Sequence, residues 1–119
     1  MNNFSEEEEE KILTKIKNNE ELNIDELEDI VFSYGIETKI DSREEWYYHM
    51  STLSKLNNTY VVTRWKEGIT EYNGCEFKNQ PILVKEIEST DAIMTSHCFY
   101  DNNGRIVYRI INGQRKFKH

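Results

Sequence analysis

Ser42–Lys66 reads SREEWYYHMSTLSKLNNTYVVTRWK, and the fold turns on where helix gives way to strand inside it. Ser42 with Glu45 three residues on makes a capping box, the reciprocal side-chain and backbone pairing that starts a helix. Trp46, Met50 and Leu53 then recur at helical spacing on one face, and Asn57-Asn58 supplies a stop. The pattern predicts a helix up to about Asn57-Asn58. From Thr59 the chemistry changes: Thr59–Lys66 (TYVVTRWK) is dense in β-branched and aromatic residues, which fit a pleated surface.

Upstream of that boundary the signals are helical. Ser5 and Glu8 form a capping box, and Glu6–Glu10 place negative charge where the helix dipole favours it. Ile12, Leu13 and Ile16 give this first helix a narrow apolar stripe, and Lys11, Lys15 and Lys17 suit its far end, near Asn18. A second helix has Asn23 as N-cap, Glu26 completing a capping box and Leu22 stapled onto Leu27. Ile24, Leu27, Ile30, Val31 and Tyr34 follow helical spacing, with Gly35 as the expected C′ residue. Ile36–Ile40 alternates apolar and polar, as a short strand or an extended link would.

Downstream the signals are those of strands. Asn73-Gly74 predicts a type I′ hairpin between Ile69–Tyr72 and Cys75–Lys78. Pro81 precedes a strand over Ile82–Glu88, and Asp101-Asn102-Asn103-Gly104 links strands over Ala92–Tyr100 and Arg105–Ile111. The layout expected is an α+β fold: three N-terminal helices packed on a C-terminal antiparallel sheet of four or five strands. It comprises one domain over 1–119, with a helical acidic part at 1–58, a sheet part at 59–113 and a basic tail at 114–119.

Composition bounds the rest. The 119 residues suit one hydrophobic core. Hydrophobic residues are 37% and charged residues 31%, while aromatics at 12% enlarge the area a modest core can bury. No apolar run approaches the roughly 20 residues of a membrane span. The N-terminus lacks the basic and apolar regions of a signal peptide. Two cysteines are too few for a disulfide scaffold, so a cytoplasmic setting is expected. Residues 1–50 hold 15 acids against 5 bases, a net of −10, and 51–119 hold 7 against 10, a net of +3. That asymmetry speaks to partners and association, not to fold.

Candidate chemistry is thin. His97-Cys98, with Cys75 and His49 elsewhere, fits no metal-binding spacing, and neighbours on a strand point to opposite faces. Both cysteines read best as small core residues. Glu76-Phe77-Lys78, with Glu67 and Glu71 upstream, has the acid-x-Lys form of metal-dependent nucleases, but the triplet is common by chance and a nuclease using Glu71, Glu76 and Lys78 is a remote alternative. The five glycines are isolated, so no phosphate loop exists. Arg115, Lys116, Phe117, Lys118 and His119, with Arg105 and Arg109, could touch a phosphate backbone. They read better as a solvated tail that balances acids of its own or another copy, which leaves a homodimer open. No cofactor, bound metal or direct nucleic-acid binding is expected.

Arg64-Trp65, Gly68-Ile69-Thr70-Glu71-Tyr72, Glu76-Phe77 and Gln80-Pro81 together resemble a segment of small uncharacterised proteins from phages and mobile elements of Gram-positive bacteria. The resemblance covers about residues 60–88 and implies context alone: a phage accessory gene, a setting where inhibitors of host defence are common. The densest feature of the chain is its acidic array, Glu6, Glu7, Glu8, Glu9, Glu10, Asp25, Glu26, Glu28, Asp29, Glu44 and Glu45. A solubilising face is the plainer account. The functional account is a nucleic-acid mimic: a non-catalytic, anti-CRISPR-like inhibitor whose acidic helices occupy the basic channel of a host nucleic-acid-handling protein, in the cytoplasm of an infected bacterium. The alternative is a nucleotide-binding module on the sheet, using Arg64, Trp65, Tyr72, Arg105 and Arg109 for stacking and phosphate contacts.

Overall fold

The computed structural model describes residues 3–90 and 95–112. Two helices, α1 (Asn3–Lys17) and α2 (Ile24–Phe32), precede seven strands. These are β1 (Gly35–Arg43), β2 (Tyr47–Leu56), β3 (Thr59–Gly68), β4 (Cys75–Glu76), β5 (Ile82–Thr90), β6 (Thr95–Tyr100) and β7 (Ile106–Asn112). They form one antiparallel sheet in the order β1-β2-β3-β5-β6-β7, with the two-residue β4 pairing β3. The expectation of three helices on four or five strands is therefore corrected: two helices lie on a larger sheet. The basic tail expected at 114–119, and Ala92–Met94 of the strand expected over Ala92–Tyr100, lie outside the described residues.

The third helix expected over Ser42–Asn58 is strand β2, and the reason is burial on both sides. A helix here would cover only its Trp46, Met50, Leu53 stripe. As a strand, Tyr48, Met50, Thr52, Ser54 and Leu56 face the helices, while Leu53 and its alternates face the other way. Ser51, Thr52, Leu53, Ser54 and Leu56 are all buried, whereas Trp46 is left 54% exposed in the turn before β2. The Thr52 and Ser54 hydroxyls of β2 are satisfied inside the protein. Trp65 Nε1 donates to Thr52 Oγ1 at 2.9 Å, the Thr38 and Thr52 hydroxyls lie 2.8 Å apart, and Ser54 Oγ donates to the Ile30 carbonyl at 2.7 Å. Asn57-Asn58 is the two-residue turn of the β2–β3 hairpin, with Asn57 at φ 55°.

Two cores result. On the helix side, Ile12, Leu13 and Ile16 of α1 and Leu27, Ile30 and Val31 of α2 pack on Met50, Leu56, Val61 and Trp65. On the other side, Leu53, Val62, Val84, Phe99 and Tyr108 converge from five strands. That convergence curls the sheet into a half-barrel. Its outer strands approach through side chains: Tyr108 Oη donates to Glu37 Oε1 at 2.9 Å, and Lys39 sits over the Tyr108 ring, its ammonium bonded to the Arg109 carbonyl. Burial, reinforced by the Glu37 carboxylate, pushes the Tyr108 hydroxyl pKa far up, so it stays a donor.

The capping box of α2 forms as expected, with Glu26 N–H donating to Asn23 Oδ1 at 2.8 Å and Asn23 N–H to Glu26 Oε1 at 2.9 Å. Gly35 is not its left-handed terminator, because α2 ends at Phe32 with Ser33 as C-cap. Gly35 opens β1 where a Cβ would collide with the Val31 carbonyl oxygen, so its role is close approach. The predicted type I′ turn is also revised. Gly74 is left-handed at φ 67°, but Ile69–Tyr72 is loop, and β4 returns to pair Lys66 and Glu67.

Two buried hydroxyls that face each other across β2 and β3 should respond oppositely to loss. Thr52→Val leaves Trp65 Nε1 and Thr38 without their partner and should cost about 1–3 kcal/mol. Thr63 Oγ1 is buried with no hydrogen-bond partner, so Thr63→Val should be neutral or stabilising by up to about 1 kcal/mol. Urea unfolding of both variants checks this; equal costs would contradict the hydrogen-bond assignment.

Candidate functional site

The acidic residues divide by what folding does with them. In α1, Glu6, Glu7, Glu8 and Glu10 are exposed and Glu9 is half-buried. Glu9 accepts from the Asn57 backbone N–H and Glu10 from Asn57 Nδ2 at 2.7 Å, which ties the run to the β2–β3 turn. In α2, Asp25 and Glu28 are exposed, Asp29 is half-buried, and Glu26 is buried at 8% exposure. Glu26 Oε2 receives Lys15 Nζ at 2.8 Å, which joins the two helices. Burial alone would push the Glu26 pKa up; the Lys15 ammonium and the Asn23 N–H outweigh it and hold the carboxyl below its ordinary range.

Glu44 and Glu45 are not on a helix. They sit in the turn between β1 and β2, at the opposite end of the β2–β3 hairpin from Asn57. Glu44 is held by His49 at 3.1 Å and Lys66 at 3.3 Å, and these contacts lower its pKa. The acids brought together are thus those of α1 and α2. Among the described residues, Glu6, Glu7, Glu8, Asp25 and Glu28 have no ion-pair partner. Sequence periodicity assigned Ile24 to the core stripe of α2, but it is 59% exposed, and Phe32 at the other end of that helix is 62% exposed. Ile24, Glu28 and Phe32 stand at i, i+4 and i+8, and Phe32, though exposed, packs edge-on to Trp65 and Phe77.

The residues of the sheet-based alternative do not converge. Trp65 is buried on the helix side, stacked on Phe77 with centroids 5.2 Å apart and edge-on to Phe32 at 5.5 Å. Arg64, its neighbour on β3, is exposed on the opposite face. Tyr72 stands 90% exposed in the loop before β4, Arg105 lies in the β6–β7 turn, and Arg109 shares a face with Cys98 rather than with Tyr108. Of the nuclease triplet, Glu76 pairs with Lys78 at 3.5 Å, while Glu71 is exposed in the loop. No group of three or more His, Cys, Asp or Glu residues that could hold a metal occurs among the described residues.

Cys98 is buried as expected of a core residue, whereas Cys75 is exposed on β4. His97 points to the other face from Cys98 and pairs with Glu86 across β5 and β6. Among the described residues, no helix is long and apolar enough to cross a membrane. No protein-family model, curated protein or solved structure matches the chain.

The Lys15–Glu26 bridge fixes an acid response. A carboxyl with a depressed folded pKa adds stability above its unfolded value and loses it as pH falls through the folded one. Stability should therefore drop as pH falls below about 4.5, the ordinary value for this carboxyl. Glu26→Gln should be less stable near neutral pH by about 1–3 kcal/mol and show a shallower decline in acid. Thermal unfolding across pH 3–7 measures both.

Proposed function

We propose that this chain is a non-catalytic binding protein whose paired helices present an acidic surface to a basic, nucleic-acid-handling partner, in the cytoplasm of a bacterial host. One observation carries the reading: within the acidic array Glu26 and Glu44 are ion-paired, and every remaining member except Glu45 stands on the helix pair. Glu26 is spent on a cap and an interhelical bridge, and Glu44 on His49 and Lys66. Glu6, Glu7, Glu8, Asp25 and Glu28 stay solvated and free to meet cations of another molecule.

The physics of such a surface is steering and register. A concentrated negative field raises association rates by roughly 10–10³ and fades as salt screens it. Backbone phosphates present the same sign of charge at close spacing, so a channel built for nucleic acid offers the matching cations. Ile24, 59% exposed beside Asp25 and Glu28, adds apolar area to this surface, and Phe32 adds the part of its ring not packed on Trp65 and Phe77. The resemblance over residues 60–88 implies a phage accessory setting, and inhibition of a host defence protein fits both that setting and the charge. The nucleotide-binding alternative is supported less well, because Trp65 is packed under α2 and the arginines lie on different faces.

The test is capture from a bacterial lysate at low and high salt, comparing the natural chain with a Glu7→Lys, Asp25→Lys, Glu28→Lys variant. Glu26 is left intact because its reversal would bury an unpaired charge. The natural chain should retain a basic protein at low salt and release it at high salt, and the variant should retain none while keeping its far-UV circular dichroism. Equal capture by both chains would overturn the reading.

A further inference from the structure

The sheet is not of even width. β3 pairs with β5 only from Tyr60 to Val62, against Val84 to Ile82, and β3 begins at Thr59. β5 nevertheless continues to Thr90, paired on its other side with β6 as far as Thr90↔Thr95. From Glu86 onward the β3-side edge of β5 has no strand beside it among the described residues, so every second backbone N–H and C=O there has no ladder partner among them. Ile87 on this ribbon is 54% exposed, an apolar side chain left largely open to solvent.

We propose that this open edge of β5 receives an extended basic segment of the partner as an added strand. The inference rests on the acidic-surface reading above and names how that surface engages. Three observations fix the chemistry of the occupant. Glu86 and Glu88 project on the same face of the ribbon, because their register partners Phe99 and His97 alternate with Cys98. The edge starts beyond the Asn57-Asn58 turn, where Glu9 and Glu10 of α1 are anchored, so these two carboxylates lie near its start. A cavity of about 510 Å³ lies at the same point, lined by Tyr60, Leu83, Val84 and Glu86 among others, with room for an apolar side chain.

A strand alternating cation and apolar residue answers all three. Its cations fall opposite Glu86 and Glu88, its apolar side chains beside Ile87, and its backbone completes the ladder. A second copy of this chain answers them badly. Antiparallel self-pairing centred on Ile87 would set Glu86 directly against the other copy's Glu88, and like charges directly opposed are destabilising.

The probe is a synthetic peptide of alternating lysine and valine, read by fluorescence anisotropy and by amide hydrogen exchange of the protein. Binding should weaken at least about tenfold from low to high salt. It should slow exchange at alternate amides of residues 86–90, and vanish when the peptide is N-methylated along both hydrogen-bonding edges. Glu88→Lys, which leaves the Glu86–His97 pair in place, should weaken it about tenfold. Binding that survives N-methylation, or that leaves residues 86–90 unprotected while Glu7→Lys, Asp25→Lys, Glu28→Lys abolishes it, overturns strand addition and leaves the acidic-surface reading standing. No binding by the peptide overturns strand addition as well. If lysate capture is also indifferent to that charge reversal, the acidic surface falls too.

Discussion

Strand β2 is buried from both sides, and most of the architecture follows from that constraint. Its helix-facing residues cannot all be large, because α2 must approach closely enough for Ser54 Oγ to reach the Ile30 carbonyl. The same closeness excludes a side chain at Gly35, where β1 leaves the helix. Thr52 then does what a small hydroxyl can do between two strands, accepting from Trp65 and sharing a hydrogen bond with Thr38. Its opposite face is apolar at Leu53, which lets Val62, Val84, Phe99 and Tyr108 gather beneath it and curl the sheet. One strand thus divides the protein into a helix-covered core and a barrel core.

That division decides where charge can go. The helices sit on the convex side, so their outer faces meet only solvent, and acids there carry no desolvation cost until a partner arrives. Folding recruits helix acids at the seam between the helices, through Lys15 and Glu26, and at the β2–β3 turn, where Glu9 and Glu10 accept from Asn57. The barrel side spends its charges locally: Glu37 on Tyr108, Lys39 on the Arg109 carbonyl, Glu86 on His97. The offset register of β3 and β5, which pair only over Tyr60–Val62 and Ile82–Val84, leaves the ribbon of residues 86–90 beyond the hairpin turn, close to the anchored part of α1. An acidic helix run and an open strand edge are therefore neighbours for a topological reason.

Both helices were legible in the sequence, but only the start signal of α2 holds, since α1 begins at Asn3 and places Ser5 of the expected Ser5–Glu8 box inside the helix. Asn23 and Glu26 need no knowledge of the rest of the chain to form a capping box. Strands β3 and β5 and the antiparallel order were legible for a similar reason, through β-branched runs and turn residues. Strand β2 was not, because Met50 and Leu53 satisfy a helical stripe while the residues that mark a two-sided strand, Ser51, Thr52 and Ser54, are polar. Their burial depends on partners distant in sequence: Asp41, Trp65 and the Ile30 carbonyl. Asn57-Asn58 carried the missed signal, since a pair of asparagines suits a two-residue hairpin as well as a helix stop. The acidic site was legible in composition, but Glu26 and Glu44 could be removed from it only once Lys15, His49 and Lys66 were seen beside them.

The division of the protein by β2 is tested most directly by backbone chemical shifts and nuclear Overhauser contacts across residues 47–56. The account predicts extended-chain shifts throughout, with cross-strand contacts linking Thr52 to Thr63 and Met50 to Trp65. Helical shifts over Trp46–Leu53, or contacts between residues three and four apart in place of cross-strand ones, would contradict it.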